Sequence, residues 1–349
     1  MSDVTVTSGQ AVPRLSSELT MSDTLARWGF RWGIGRMSAR FEPGLYRIGE
    51  PLPSAPVLVT CNYRMTVDIV RRDLAGADVW LLVLETYGIN VWCAAGKKTF
   101  GTDELVRRIF ATHLAEHVDH ETLVLPQFGA VGVSATAVRA ATGYRVVWGP
   151  VRSSDLLAFL AADMKATPEM RAVTFPMRAR LALAPMELVP SLKYGLWAIP
   201  LLVTLSVLGA SIALRTFAWR AAFMSLFPSV LTFALGVLAG AVAVPVLLPW
   251  LPGRAFTVKG AFAGAGLALA TLVALPGMLG LMSVWQWAAV VLGVSAIASY
   301  VGVNFTGSTP YTSPSGVELE LRKAIPIQAI ALGIALVSWT VAWATRIGG

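Results

Sequence analysis

The C-terminal half of the sequence is dominated by long apolar stretches, and they limit the possible folds more than any other feature. A helix needs about 20 apolar residues to cross the hydrocarbon core of a membrane. Residues 194–349 contain 7 lysines and arginines and 2 acidic residues, whereas residues 1–193 contain 21 and 18. The sequence therefore predicts a soluble domain over residues 26–190 and an α-helical transmembrane domain over residues 191–349. The five predicted spans are about 194–214, 222–248, 260–279, 284–303 and 324–344.

The charges that flank these spans predict their orientation, because loops rich in lysine and arginine stay in the cytoplasm. More of these residues lie on the side of the soluble domain than on the opposite side: Arg178, Arg180, Lys193, Arg254, Lys259, Arg322 and Lys323, against Arg215, Arg220 and Arg346. Residues 1–25 are rich in serine and threonine and have no apolar core, so we expect a disordered tail and no cleavable signal peptide. We therefore expect a multi-pass protein of the inner cell membrane, in contact with lipid, whose soluble domain faces the cytoplasm.

The role of the predicted transmembrane domain stays open. Its spans contain no charged residue and no histidine, which argues against ion-coupled transport. The domain either anchors the protein or takes part in its function. The predicted cytoplasmic loop over residues 304–321 is long and rich in hydroxyl groups, and loops of this length are often functional or disordered.

In the soluble half, short apolar runs alternate with helical patterns, which is typical of βαβ units and a parallel sheet. The predicted strands are 57–60, 79–85, 122–127 and 144–149, and the predicted helices are 66–76, 102–118, 133–143 and 153–164. We therefore expect a Rossmann-like α/β domain with ligands at the carboxyl ends of its strands, in the loops 61–65, 86–101 and 127–132. No GxGxxG or Walker A sequence follows a strand, and the sequence has no basic stripe with interleaved aromatic residues. Neither a nucleotide cofactor nor nucleic acid is expected.

The second of these loops contains NVWCAAGK at residues 90–97, with Cys93 in its middle. Asn90 is a suitable N-cap and would place Cys93 in the first turn of a short helix, where the helix dipole favours a thiolate. Lys97 adds positive charge one turn later. Gly96 would end or loosen the helix, Trp92 would give it a broad apolar face, and Ala94 and Ala95 would keep the other surface flat. Such a surface suits a planar macrocycle that holds a metal, but a short helix with a packed structural cysteine is an equal explanation.

The other potential ligands are Cys61 and three histidines. A disulfide between Cys61 and Cys93 is not expected in a reducing cytoplasm. His113 and His117 are four residues apart on a predicted helix and could share a metal. The acidic residues between them are typical of a solvated helix face, so we interpret the histidines as structural.

The segment at residues 90–97 resembles the cap-helix signature of the HgcA family, the membrane-anchored corrinoid proteins of mercury methylation. Further stretches resemble the same family: RWGIGRMSARFEPGLYRIGEP at 31–51, PVLVTCNYRMTVD at 56–68, FGTDELVRRI at 100–109 and NFTGSTPYTSPSGV at 304–317. The first two are also similar to the corrinoid domain of the corrinoid iron–sulfur protein, which carries methyl groups in acetyl-CoA synthesis. The sequence departs from the family pattern at Lys98, where glycine is expected, and at Cys61, where alanine is expected.

The resemblance implies a cobalamin-type corrinoid cofactor whose cobalt has Cys93 as its lower axial ligand. The cap beneath the corrin would consist of Asn90, Val91, Trp92, Ala94, Ala95, Gly96 and Lys97. Four residues at other strand ends are our geometric candidates for contacts with the rim or tail of the corrin: Thr60, Asn62, Gln127 and Gly129. The family also implies partners, namely a ferredoxin-like protein with two 4Fe–4S clusters as electron donor, and methyltetrahydrofolate or a related methyltransferase as methyl donor.

The implied activity is that of a corrinoid-dependent methyltransferase, which transfers a methyl group from cobalt to mercury(II) and forms methylmercury. Mercury(II) is an electrophile and needs a methyl carbanion or radical, and a thiolate opposite the methyl group donates electron density that favours such a transfer. One alternative is a corrinoid methyl carrier for a nucleophilic acceptor in one-carbon or acetyl-CoA metabolism. Another is a thiol-based metal carrier or transporter, which fits poorly because the chain has neither paired cysteines nor charged groups inside its spans.

Overall fold

The computed structural model describes residues 12–36, 38–217, 219–274, 282–305 and 314–345. The chain divides into two compact units, Met1–Thr174 and Phe175–Gly349. The first unit has nearly all of the acidic residues of the chain, and the second has the long apolar stretches.

A five-stranded sheet forms the centre of the first unit, with the strand order β1-β3-β2-β4-β5. The strands are β1 Gly44–Ile48, β2 Val57–Cys61, β3 Val79–Leu84, β4 Thr122–Leu125 and β5 Arg145–Trp148. Strands β2 to β5 run parallel to one another, and β1 is antiparallel to β3. Every residue of β2 and β3 is buried, as in central strands that are covered on both faces.

Strand β1 is not predicted from the sequence. It lies at the edge of the sheet and pairs with β3, from Gly44 opposite Val83 to Ile48 opposite Val79. Its five residues GLYRI include a glycine and an arginine, so their apolar signal is weak. The strand depends on pairing with β3, which is a tertiary contact.

Helices cover both faces of the sheet. In the first unit they are α1 Met21–Arg31, α2 Arg64–Asp73, α3 Val91–Gly96, α4 Thr102–Ala111, α5 Ala135–Thr142, α6 Leu156–Ala161 and α7 Pro168–Arg171. Residues of α3, α4 and α5 share one apolar core with Phe100. Residues of α2 and α6 form the core on the other face, around Leu74 and Phe159.

Two local predictions differ from the structure. Helix α4 ends at Ala111 and does not continue to residue 118, because His113 has a φ of 48° and begins a short 3₁₀ turn. His113 and His117 therefore do not share a helix, and the His117 ring packs against Trp80 with 5.7 Å between the ring centroids. Within the described ranges, no group of three or more histidine, cysteine or acidic residues is arranged to hold a metal ion.

The predicted disordered tail of residues 1–25 does not extend over residues 12–25. Helix α1 begins at Met21, and Thr20 and Asp23 form a reciprocal capping box at its start. Before it, the amide of Leu15 donates to the Arg47 carbonyl at 2.8 Å, which ties this segment to β1. The capping box is local, whereas the bond between Leu15 and Arg47 joins residues far apart in sequence, and composition alone does not reveal either contact. Residues 1–11 lie outside the described part of the chain.

The second unit consists of long apolar helices. They are α8 Met177–Leu181, α9 Ala184–Leu214, α10 Trp219–Leu238, α11 Val244–Leu247, α12 Phe256–Ala274, α13 Val284–Asn304 and α14 Pro314–Thr345. A π-helical segment, Ala239–Ala243, joins α10 to α11. By length and composition, five stretches can cross a membrane: Met177–Leu214, Phe223–Leu247, Phe256–Ala274, Val284–Asn304 and Gly316–Thr345. The predicted fold class, an α/β domain followed by five long apolar helices, is confirmed.

The ends of these helices differ from the predicted spans. Helix α9 contains the predicted domain boundary at residue 190 and begins ten residues before the predicted first span, at Ala184. Helix α14 likewise begins at Pro314, before the predicted start at residue 324. The predicted third span continues over residues 275–279, and the predicted hydroxyl-rich loop covers residues 306–313. Both segments lie outside the described residues, as does Arg346.

Candidate functional site

Helix α3 lies at the carboxyl edge of the sheet and presents Cys93 to solvent; we call it the cap helix. Asn90 is its N-cap and accepts a hydrogen bond from the Cys93 amide through Oδ1, at 3.0 Å. The Ala94 amide donates to the Asn90 carbonyl at 2.9 Å. The Cys93 amide is therefore already bonded, so it adds no free donor near the Cys93 thiol.

The residues of the cap helix separate into two faces. Cys93, Gly96 and Lys97 are exposed, and Trp92 is 39% exposed. Ala94 and Ala95 are buried, at 0% and 1% exposure, and Val91 is buried beside them. The two alanines, which the sequence analysis places on the flat outer surface, thus pack into the core under the helix.

Asn62 holds the loop that leads to the cap helix. Its Oδ1 accepts hydrogen bonds from the amides of Thr86, at 3.1 Å, and Gly88, at 3.0 Å. Its Nδ2 donates to Oε1 of Glu85 at 2.8 Å, and the same oxygen accepts from the Tyr87 amide at 2.6 Å. Asn62 is 1% exposed. This side chain, predicted to contact the rim or tail of a ligand, fixes the loop from β3 to α3.

A cavity of about 290 Å³ lies at the carboxyl ends of the parallel strands, beside the start of the cap helix. Of the predicted site residues, it brings together Thr60 at the end of β2 with Asn90, Val91 and Trp92. Its other walls are mostly apolar and come mainly from Ile69, Val70, Val124, Leu125, Val151 and Leu156. The position matches the rule that ligands bind beyond the carboxyl ends of strands in open α/β sheets.

Gln127 and Gly129 have other roles in the structure. Oε1 of Gln127 accepts a hydrogen bond from Arg171 of α7 at 2.9 Å. Gly129 is buried, and a Cβ placed there would lie 2.6 Å from the Phe100 ring. Gly129 thus makes room for an aromatic core residue, and neither residue lines the cavity.

Two residues that the sequence analysis missed tie the cap helix to the segment after β4. Phe128 stacks on Trp92 with ring centroids 5.1 Å apart and 7° between the planes. Gly132 passes so close to the helix that an added Cβ would lie 3.0 Å from Ala95 Cα and 2.2 Å from the Phe100 carbonyl oxygen. Only the position of Gly132 at the end of the predicted loop 127–132 could have indicated the contact.

The second thiol of the chain is inaccessible to solvent. Cys61, at the end of β2, is 0% exposed. Burial raises the pKa of the Cys61 thiol, against hydrogen bonds with the Tyr63 backbone and the Thr66 side chain that lower it. Cys61 therefore stays protonated at neutral pH and is a packing residue, whereas Cys93 is open to a ligand.

Lys98 has a φ of 61°, in the left-handed region where a Cβ is unfavourable. This conformation closes the end of the cap helix, as the Lys98 amide donates to the Ala95 carbonyl at 3.0 Å. The departure from the expected glycine at this position thus has a conformational cost.

The first unit is similar to known proteins over a stretch that contains the whole site. Residues 34–160 match the family model of the CO dehydrogenase/acetyl-CoA synthase delta subunit. The acetyl-CoA decarbonylase/synthase complex subunit gamma of Methanopyrus kandleri is 40% identical over 124 residues, which cover 35% of this chain and 26% of that protein. The corresponding subunit of Archaeoglobus fulgidus is 33% identical over 127 residues, covering 36% and 27%.

A relative that is named as a corrinoid protein matches a similar share of the chain. The corrinoid/iron–sulfur protein large subunit of Moorella thermoacetica is 28% identical over 127 residues, which cover 36% of this chain and 28% of that protein. The chain thus spans about a quarter of the length of these relatives. The match to the family model lies within the first unit, and the five long apolar helices lie outside it.

Proposed function

We propose that the protein is a membrane-bound corrinoid-dependent methyltransferase that methylates mercury(II), with Cys93 as the lower axial ligand of cobalt. The observation that carries the proposal is the exposed Cys93 thiol at the carboxyl edge of the sheet, in a domain similar to the large subunit of a corrinoid/iron–sulfur protein. We infer mercury(II) as the substrate from the resemblance of residues 90–97 to the HgcA cap helix.

The residues around Cys93 fit a corrinoid in their chemistry. A thiolate is a soft, electron-donating axial ligand, like the cysteine of P450 haems. Gly96 has no atom within 4 Å of an added Cβ, so the surface beside Cys93 is open on that side. The apolar cavity next to Asn90 and Trp92 would offer a place for part of the ligand.

Each residue of the cap helix then has a separate task. Asn90 fixes the first turn and with it the direction of Cys93. Ala94 and Ala95 anchor the helix in the core, and Trp92 gives the cavity an aromatic wall. When bound, the corrinoid would supply a methyl group that can leave with its bonding electrons, the form that mercury(II) accepts.

The proposal includes partners and a location. The chain has two cysteines and Cys61 is buried, so electrons for re-reduction would come from another protein, such as a ferredoxin-like protein with two 4Fe–4S clusters. Methyltetrahydrofolate or a related methyltransferase would renew the methyl group. The excess of lysine and arginine on one side of the apolar helices supports an inner-membrane protein whose α/β domain faces the cytoplasm.

A methyl carrier with a nucleophilic acceptor is the second candidate, and the match to acetyl-CoA decarbonylase/synthase gamma subunits favours it. The two candidates differ in the role of Cys93. Methyl transfer to a thiol acceptor would survive loss of an axial thiolate, whereas methyl transfer to mercury(II) would not.

The visible spectrum of the full-length protein tests the proposal. The wild type, Cys93→Ala and Cys61→Ala would each be reconstituted with cobalamin without oxygen, and the bound cobalt measured. We expect bound cobalt in all three, a changed spectrum in Cys93→Ala alone, and methylmercury in a single turnover with methylcobalamin from the wild type and Cys61→Ala. Absence of cobalt in the folded wild type would refute corrinoid binding. Equal spectra for wild type and Cys93→Ala would refute the axial thiolate, and methylmercury formation by Cys93→Ala at the full rate of the wild type would refute its role.

A further inference from the structure

Helix α1 exposes an apolar stripe along its whole length. Met21, Leu25, Trp28 and Trp32 follow the spacing i, i+4, i+7, i+11 and lie on one side of the helix. Their exposed fractions are 75%, 64%, 60% and 39%, and Ile34 beyond the helix end is 71% exposed. Large apolar side chains gathered on one exposed face indicate an interaction surface.

The opposite side of α1 fixes the helix to the α/β domain. Phe30 is 8% exposed and packs inward. Asp23 accepts hydrogen bonds from Arg64 at 2.7 Å and from Arg71 at 2.9 Å, and both arginines belong to α2. The stripe is therefore held outward by specific contacts on the other face, and rotation of the helix to bury it would break them.

The segment that includes the stripe has a net positive charge. Residues 21–40 contain four arginines, Arg27, Arg31, Arg36 and Arg40, and a single acidic residue, Asp23. Asp23 is paired with Arg64 and Arg71, and Arg27 lies near Asp68 and Asp73 of α2, so the net positive charge of this segment comes from Arg31, Arg36 and Arg40.

We propose that the apolar stripe of α1 inserts into the interfacial layer of an anionic phospholipid membrane. Amphipathic helices with tryptophan and leucine on one face and arginine beside it lie in the plane of the interface, and anionic headgroups attract the arginines. Tryptophan is the residue most suited to this layer, because its ring is apolar and its N–H is polar. Among the described residues, five helices are long and apolar enough to cross a membrane, which favours a lipid surface as the occupant of the stripe.

A nitroxide at position 25 tests the contact in the full chain. Leu25→Cys would be labelled in a Cys93→Ala background, in which the remaining Cys61 is buried. Ala140→Cys, on the exposed side of α5, is the matched control. Both proteins would be placed in nanodiscs with phosphatidylglycerol and phosphatidylcholine, or with phosphatidylcholine alone, and the access of oxygen and of a water-soluble nickel complex measured.

We expect nickel access at position 25 to be several-fold lower than at position 140 in the anionic nanodiscs, with oxygen access higher. In phosphatidylcholine alone, nickel access at position 25 should increase. Equal nickel access at both positions would overturn the proposal and would indicate that the stripe binds a protein partner. Protection of position 25 that is the same in both lipids would overturn the requirement for anionic headgroups.

Discussion

The rings of Trp92 and Phe128 lie parallel, 5.1 Å apart, and join the cap helix to the segment after β4. Both residues also line the cavity at the carboxyl edge of the sheet. The stack therefore links the position of Cys93, one residue after Trp92, to the walls of the pocket beside it.

Replacement of Phe128 by alanine should loosen the cap helix. Aromatic pairs contribute about 0.5–1.5 kcal/mol beyond the area they bury. We expect a coupling free energy of this size between Trp92→Ala and Phe128→Ala in a double-mutant cycle. The quantity measured for each variant is the opening free energy of the α3 amides, from hydrogen exchange. Phe110→Ala is the control, since Phe110 is 59% exposed on α4. Additive effects of the two cap substitutions would contradict the prediction.

Two glycines near the cap helix should respond in opposite ways to alanine. At Gly132 the new Cβ would meet the Phe100 carbonyl and Ala95, so Gly132→Ala must displace the helix and should cost about 1–3 kcal/mol. At Gly96 the space is open, so Gly96→Ala should keep or raise helix stability by up to about 1 kcal/mol. Hydrogen exchange of the α3 amides measures both, and similar protection in the two variants would contradict the close contact at Gly132.

The cap helix could be predicted from the sequence because its start depends on local contacts. Asn90 accepts from an amide three residues later, which the order of residues alone suggests. The same holds for the parallel strands, whose apolar runs are continuous because both faces are buried. The exposure of Cys93 could not be predicted in the same way, because a packed structural cysteine explained the sequence equally well.

The remaining site residues could not be assigned from the sequence because their roles depend on distant partners. Asn62 bonds to residues 23 to 26 positions away, and Gly129 makes room for Phe100. Ala94 and Ala95 look like a flat surface in sequence, but a six-residue helix has two faces and the sheet decides which one is buried. Phe128 was missed because a single aromatic residue in a loop has no periodic signal.

Asn62→Ala should release the loop from β3 to the cap helix. The substitution leaves the amide of Thr86, a residue that is 0% exposed, without its acceptor. An unsatisfied buried amide costs about 1–3 kcal/mol. We expect faster hydrogen exchange at residues 86–93 with unchanged exchange in β4 and β5, and uniform loss of protection over the whole domain would contradict a local role.

Lys98→Gly should stabilise the end of the cap helix. A non-glycine residue in the left-handed region costs about 1 kcal/mol or more, and glycine removes this cost. Lys98→Ala is the matched control, because it removes the same charge but keeps the Cβ. Slower amide exchange at residues 97–100 in Lys98→Gly, and not in Lys98→Ala, is the expected result. Equal exchange in both variants would show that the charge, and not the backbone, matters.

The attachment of α1 to the α/β domain should weaken in acid. Burial by itself would raise the pKa of Asp23. The hydrogen bonds from Arg71 and Thr20 together have the larger effect, and the pKa falls from 3.8 to about 2. Because the pKa is lower in the folded protein, the Asp23 contacts stabilise α1 fully above about pH 4. This contribution is lost as the pH falls towards 2.

The mobility of a nitroxide at Leu25→Cys, recorded in detergent micelles against pH, should therefore rise between about pH 4 and pH 2. Asp23→Asn should raise the mobility already at pH 7, since it removes the charge that pairs with Arg64 and Arg71. Glu18→Gln is the control, because it removes an exposed acidic group just before the helix. An Asp23→Asn protein that keeps wild-type mobility at pH 7 would show that Phe30 and the apolar contacts hold α1 without the ion pairs.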